Sequence, residues 1–140
     1  MPEIPPMKRF APGDRIYVQA QQVWLILVAV VMLSDRNARR PTTITYGELA
    51  LKMGFKDKRA GHMLGRQLGI VGQYCKLNGL PTLNAIVVHE SDGQPGKGVI
   101  TRSGKQHPEE QSAVMKEDWF RIRVPTTGTL RSVWDSGFGS

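Results

Sequence analysis

Tyr46, Lys52, Lys56, Lys58, Arg59, His62, Arg66 and Gln67 follow one another in a short stretch, and their types suit one chemistry, the holding of a polyanion. Lysine and arginine neutralise phosphates and release condensed counterions. Arginine can also pair with guanine and glutamine with adenine, each through two hydrogen bonds. Tyr46 offers a hydroxyl on a flat apolar body, which suits contact with a sugar-phosphate chain. Each lysine taken alone is as well explained by a solvated face, and Tyr46 by a half-buried helix start.

The charge distribution supports the anionic partner. The chain carries +7 with an isoelectric point near 9.9. Between Arg36 and Arg66 stand eight basic residues (Arg36, Arg39, Arg40, Lys52, Lys56, Lys58, Arg59 and Arg66) against Glu48 and Asp57, a net +6. A positive field concentrated on one segment is what phosphate binding needs.

Catalytic chemistry finds little to work with. The one cysteine, Cys75, excludes a disulfide within the chain and lies on an apolar stripe, the position of an inert buried thiol. His62, His89 and His107 fall in three separate elements without zinc-ligand spacing, so no metal and no cofactor is expected. His89 and Glu90, as neighbours on a strand, would face opposite sides. No nucleophile, metal set or carboxylate pair stands out, and the chain is read as a non-enzyme.

The elements that must position the basic residues follow from pattern. Residues 1–14 hold Pro2, Pro5, Pro6 and Pro12 and read as an irregular arm. Asp14 is placed to cap a helix from Arg15 to about Ser34. Its run of eleven apolar residues, Val23 to Leu33, falls short of the roughly 20 needed to span a membrane and reads as a buried core helix. A short helix over Tyr46–Met53 ends at Gly54, and a second opens near Ala60. Gly61, Gly65, Gly69 and Gly72 imply close backbone approach or a break near Gly69. Leu83–Glu90 reads as a strand, with Gly98–Ile100 returning after the Asp92-Gly93 and Pro95-Gly96 turn signals. Pro108–Phe120 reads as a helix and Ile122–Val124 as a candidate strand. The Gly-, Ser- and Thr-rich segment 125–140 reads as a loose tail. The expected fold is α+β, one winged helix-turn-helix domain over residues 15–124, with a small β-hairpin wing and an extra C-terminal helix.

On this frame several motifs share an order with a known family. Ile44-Thr45-Tyr46-Gly47-Glu48-Leu49-Ala50 resembles the threonine-tyrosine-glycine signature of alkylguanine-DNA alkyltransferases, which opens the first helix of their helix-turn-helix. Val23-Trp24 is similar to the helix before it, and Met63-Leu64-Gly65-Arg66-Gln67-Leu68 to the recognition helix. Leu80-Pro81, Ala85-Ile86-Val87-Val88 and Asp92-Gly93 resemble the surroundings of the active loop. The resemblance covers residues 20 to 100. It departs where it matters for catalysis: Thr82-Leu83-Asn84 follows Pro81 where the family has its acceptor cysteine, and His62 stands for its base-flipping arginine. The chain therefore looks like the shorter alkyltransferase-like class, which keeps the DNA-binding fold without the cysteine.

The resemblance implies a protein that binds duplex DNA and reads backbone and shape, with modified or alkylated guanine as the damage recognised and no alkyl transfer. It also implies a base pocket around Tyr46, Asn84 and Val88, although Asn84 suits a turn or bulge as well. The alternative is a protein-interaction or regulatory module, with a second copy of the chain as partner through Val23 to Leu33. An enzyme acting on a nucleobase through Asn84, His62 or Asp92 is the weakest reading. One cysteine and no secretory signal at the start point to a cytoplasmic protein with a role in DNA repair and no membrane partner.

Overall fold

The computed structural model describes residues 2–35, 37–96 and 107–137. Its centre is α1, Ile16–Met32, in which Ala20, Val23, Trp24, Leu27 and Val31 are fully buried at helical spacing. Trp24 meets Tyr74 and Trp119 edge-on, with ring centroids 5.5 and 5.6 Å apart. Such pairs add about 0.5–1.5 kcal/mol each to the area they bury. Burial of this kind outweighs the weak helix preference of the valines and isoleucines in the segment. Arg15 and not Asp14 stands at the cap position, without a side-chain cap bond; the Asp14 carboxylate accepts instead from the Ala11 amide at 2.7 Å. Among the described residues no helix is long and apolar enough to cross a membrane.

The chain continues through β1 (Ile44–Thr45), α2 (Tyr46–Lys52), a 3₁₀ helix (Lys58–Met63) and α3 (Gly65–Leu77). A second 3₁₀ helix (Leu83–Ile86) leads into β2, Val87–Val88. The expected strand over Leu83–Glu90 thus shrinks to two residues, because the buried run Leu83–Ile86 coils against α3 and α4 (His107–Lys116). β1 and β2 pair in parallel, Ile44 with Val87 and Thr45 with Val88. Beyond β2 a tight turn returns, with Gly93 at φ 66°, and closes on an antiparallel bridge from Val88 to Pro95. The return strand expected at Gly98–Ile100 lies outside the described residues. The fold is α+β and mostly helical around this small sheet.

Four further expectations are corrected. The break in the second motif falls at Leu64, between the 3₁₀ helix and α3, and α3 runs unbroken through Gly69. The helix expected to reach Phe120 ends at Lys116 and gives way to a 3₁₀ turn, Trp119–Arg121, whose indole donates to the Val114 carbonyl at 2.8 Å. Ile122–Val124 forms no strand. Most of the supposed loose tail is α5, Thr127–Asp135, capped by the Thr126 hydroxyl and burying Leu130 and Val133 against α1 and α3. The apolar spacing Leu130, Val133, Trp134 drives this burial despite the glycine- and serine-rich composition.

Candidate nucleic-acid interface

The start of α2 is set by a capping box. The Thr45 hydroxyl accepts from the Glu48 amide at 3.1 Å, and the Glu48 carboxylate accepts from the Thr45 amide at 3.4 Å. The motif Thr-x-x-Glu is a recognised helix-start signal, and it places Tyr46 as the first helical residue. The 3₁₀ helix then lies directly on α2. A Cβ built at Gly61 would stand 2.5 Å from the Tyr46 carbonyl carbon and oxygen, and one at Gly47 would stand 2.9 Å from Lys58 Cβ. Two glycines therefore permit the contact that fixes Lys58, Arg59 and His62 beside Tyr46.

Tyr46 itself is half-buried. Its hydroxyl accepts from the Gly96 amide at 2.9 Å, and its ring stacks on His89 with centroids 4.8 Å apart. Burial raises its pKa above the ordinary phenol value, while the Gly96 donor pulls it back in part. The hydroxyl stays protonated at neutral pH and pins the turn after β2 to the start of α2. Lys58 adds a second tie to that turn, 3.7 Å from the Glu90 carboxylate, with both side chains largely exposed.

Lys56, Lys58, Arg59, His62 and Arg66 are all exposed, and His62 and Arg66 line one pocket. The Arg59 guanidinium holds Asp57 through Nε at 2.9 Å and Nη2 at 2.7 Å, which lowers the Asp57 pKa. One edge of Arg59 is therefore occupied. His62 Nδ1 contacts the Arg59 carbonyl, which leaves Nε2 as the free ring nitrogen. Arg66, at the second residue of α3, forms no ion pair with any described residue.

Four expected site residues do not stand exposed beside these cations. Gln67 is only 7% exposed and donates from Nε2 to Gln19 Oε1 at 2.6 Å, so it does not face a partner on the surface. Asn84 and Val88 are buried at 2% and 4% exposure. The expected base pocket is therefore filled: the Asn84 amide is pressed on Gly72, where a Cβ would meet its Oδ1 and Nδ2 at 2.8 Å. Lys52 leaves the corner too and lines an apolar groove of about 370 Å³ with Ile26, Ala29, Val30, Leu33 and Ser34. Arg39 and Arg40 lie apart from both, in a pocket of about 220 Å³ shared with Ser112 and Lys116 of α4. The basic residues that crowd one stretch of sequence are thus divided among three places.

One open pocket remains at the corner, of about 490 Å³, lined by Ile16, His62, Met63, Gly65, Arg66 and Gln67. It lies against the start of α3. The residue before that helix, Leu64, supplies no side-chain cap, so the first amides of α3 have no oxygen from the capping position. The positive end of a 13-residue helix faces the same pocket as Arg66.

Comparison with protein-family models, with curated proteins and with solved structures finds no match. The chemistry of the site is therefore read from its residues. Among the described residues no three His, Cys, Asp or Glu side chains come together as a metal site. Cys75 is fully buried on α3, and burial pushes its thiol up to about 12, which removes the thiolate needed for attack. Val23, Trp24, Leu27, Val28 and Val31 are buried within the fold, so of the segment expected to join two copies only Leu25, Ile26, Ala29, Val30, Met32 and Leu33 reach the surface. The helix-start pocket was missed in the sequence. In the sequence Gly65 reads as a close-approach glycine and Arg66 as a phosphate contact, so neither marks a pocket at the helix start.

Proposed function

We propose that this protein binds duplex DNA without catalysing a reaction on it. The corner formed by α2, the 3₁₀ helix and α3 acts as a helix-turn-helix, with α3 as its recognition helix and the turn after β2 as a short wing. What carries the reading is the set of exposed cations, Lys56, Lys58, Arg59 and Arg66, on a corner that glycine contacts at Gly47 and Gly61 hold rigid. Tyr46 opens α2, the position that the threonine-tyrosine-glycine resemblance implies for it. Cys75 is buried and Pro81 is followed by no thiol, so the protein takes no alkyl group from DNA.

Binding to plain and alkylguanine-containing duplexes across a salt series tests this. For about five phosphate contacts, log affinity against log salt falls with a slope of about −4 to −5. A flat response, or no binding at low salt, would move the function to the apolar groove on α1. That second reading has its own observation: Leu33 is 79% exposed at the edge of a groove lined by Ile26, Ala29 and Val30.

A further inference from the structure

We propose that the arm preceding α1 is a second part of the DNA interface, in which Lys8 and Arg9 enter the minor groove of a duplex held by the helix-turn-helix. This rests on the DNA-binding reading above and adds to it a segment outside the motif.

The root of the arm is fixed on the motif itself. Pro12 stands against the turn that follows α2, its Cγ 3.9 Å from where a Cβ on Gly54 would lie. The Gln19 side-chain amide donates to the Pro12 carbonyl at 2.8 Å, and its oxygen accepts from Gln67 of α3 at 2.6 Å. The Asp14 amide closes a short turn on the Ala11 carbonyl at 3.0 Å. Four residues past Pro12, Ile16 lines the pocket at the start of α3 together with Arg66. The segment from Pro12 to Ile16 therefore runs from the turn after α2 to the opening of α3, and the arm departs from the motif's own turn, two residues from Lys56 in the sequence of that turn.

Beyond the root the arm offers its side chains outward. Residues 2–9 are all exposed, Ile4 at 90% and Met7 at 75%. Lys8 and Arg9 form no ion pair with any described residue, and Glu3 is the one acid of residues 2–10. Pro2, Pro5 and Pro6 restrict φ and favour an extended chain, which has less freedom to lose when it is bound. Arg9 and Lys8 stand three and four residues before Pro12, a reach of about 9–12 Å at about 3.1 Å per residue. That is far enough to cross one sugar-phosphate ridge and enter the adjoining groove.

Charge and shape choose the groove. An extended chain is thin enough for the minor groove, about 6 Å wide. The negative potential there is strongest over A·T tracts, where the groove is narrowest, and it draws in arginine. Ile4 and Met7, three residues apart, fall on one side of a polyproline-type chain and give it an apolar edge to lay on deoxyribose and base steps. Over G·C pairs the guanine amino group stands on the groove floor and obstructs that fit.

The test measures affinity of the full chain and of Lys8→Ala/Arg9→Ala for two duplexes of equal length, one an A·T tract and one alternating G·C, across a salt series. The unaltered chain should bind the A·T duplex about fivefold tighter, the size expected of one groove contact, and the double variant should lose that preference. Its salt slope should also be shallower by about one to two. Its melting temperature should be unchanged, because both side chains are exposed and unpaired within the fold. Equal affinity of the unaltered chain for the two duplexes, or a preference or slope that the double variant keeps, overturns the proposal, while salt-dependent binding of either duplex keeps the DNA-binding reading. If neither duplex binds at low salt, that reading fails and the role of the arm falls with it.

Discussion

Two buried amides, Gln67 on α3 and Asn84 packed against it, make an instructive pair. Asn84 and Gln67 are 2% and 7% exposed, and each has a side-chain oxygen without a partner. Each also has a glycine of α3 close by in the sequence or in space. At Asn84 the glycine is a steric requirement, since a Cβ on Gly72 would stand 2.8 Å from the amide. At Gln67 it is not: Gly65 has open space around it, and a pocket lies where the packing stops. The contrast separates two uses of glycine that look identical in sequence, one that closes a core and one that leaves a helix end open.

Substitutions at glycines in closed packing should do the most damage. Gly61→Ala puts a Cβ 2.5 Å from the Tyr46 carbonyl group, and backbone yields less readily than side chain. It should cost about 3 kcal/mol or more, read as a lower midpoint in urea. Gly72→Ala meets only a side-chain amide and should cost about 2 kcal/mol. Adding Asn84→Ala should return part of that loss, because the two changes share one contact. No recovery in the double variant would mean that Gly72 is held by something other than Asn84.

The dry side of α3 should also respond to alkaline pH. Cys75 accepts from the Leu83 amide, and burial raises its pKa from 9.0 to about 12. A thiol with a raised folded pKa contributes stability that is complete below the unfolded value and lost as pH climbs toward the folded one. Between pH 9 and 12 stability should fall by up to about 1.4 kcal/mol per pH unit through this group. Cys75→Ala should flatten that part of the profile in denaturant titrations, whatever it does to stability at neutral pH. On the open side the smallest effect is expected. Gly65→Ala should change stability by less than about 1 kcal/mol, in the stabilising direction.

Much of this contrast was beyond sequence reading. The apolar run of α1 and the Tyr46 helix start were legible, because burial and capping act over a few neighbouring residues. The division of the basic residues was not, since Lys52 and Arg40 reach different neighbours only once α1 and α4 are in place. Asn84 and Val88 were expected at a pocket because the resemblance puts a reactive residue nearby. In the fold the 3₁₀ coil of Leu83–Ile86 turns them into the core. α5 was hidden by its composition, although Thr126 and the Leu130, Val133, Trp134 spacing held the signal.

If the Arg66 corner meets DNA phosphate, the Arg39–Arg40 pocket serves as its internal control. The decisive measurement is the salt dependence of duplex affinity for the unaltered chain, Arg66→Ala and Arg40→Ala. The slope should be about −4 to −5 for the unaltered chain, shallower by about one in Arg66→Ala and unchanged in Arg40→Ala. A slope that Arg66→Ala leaves untouched, or that Arg40→Ala reduces as much, would contradict it.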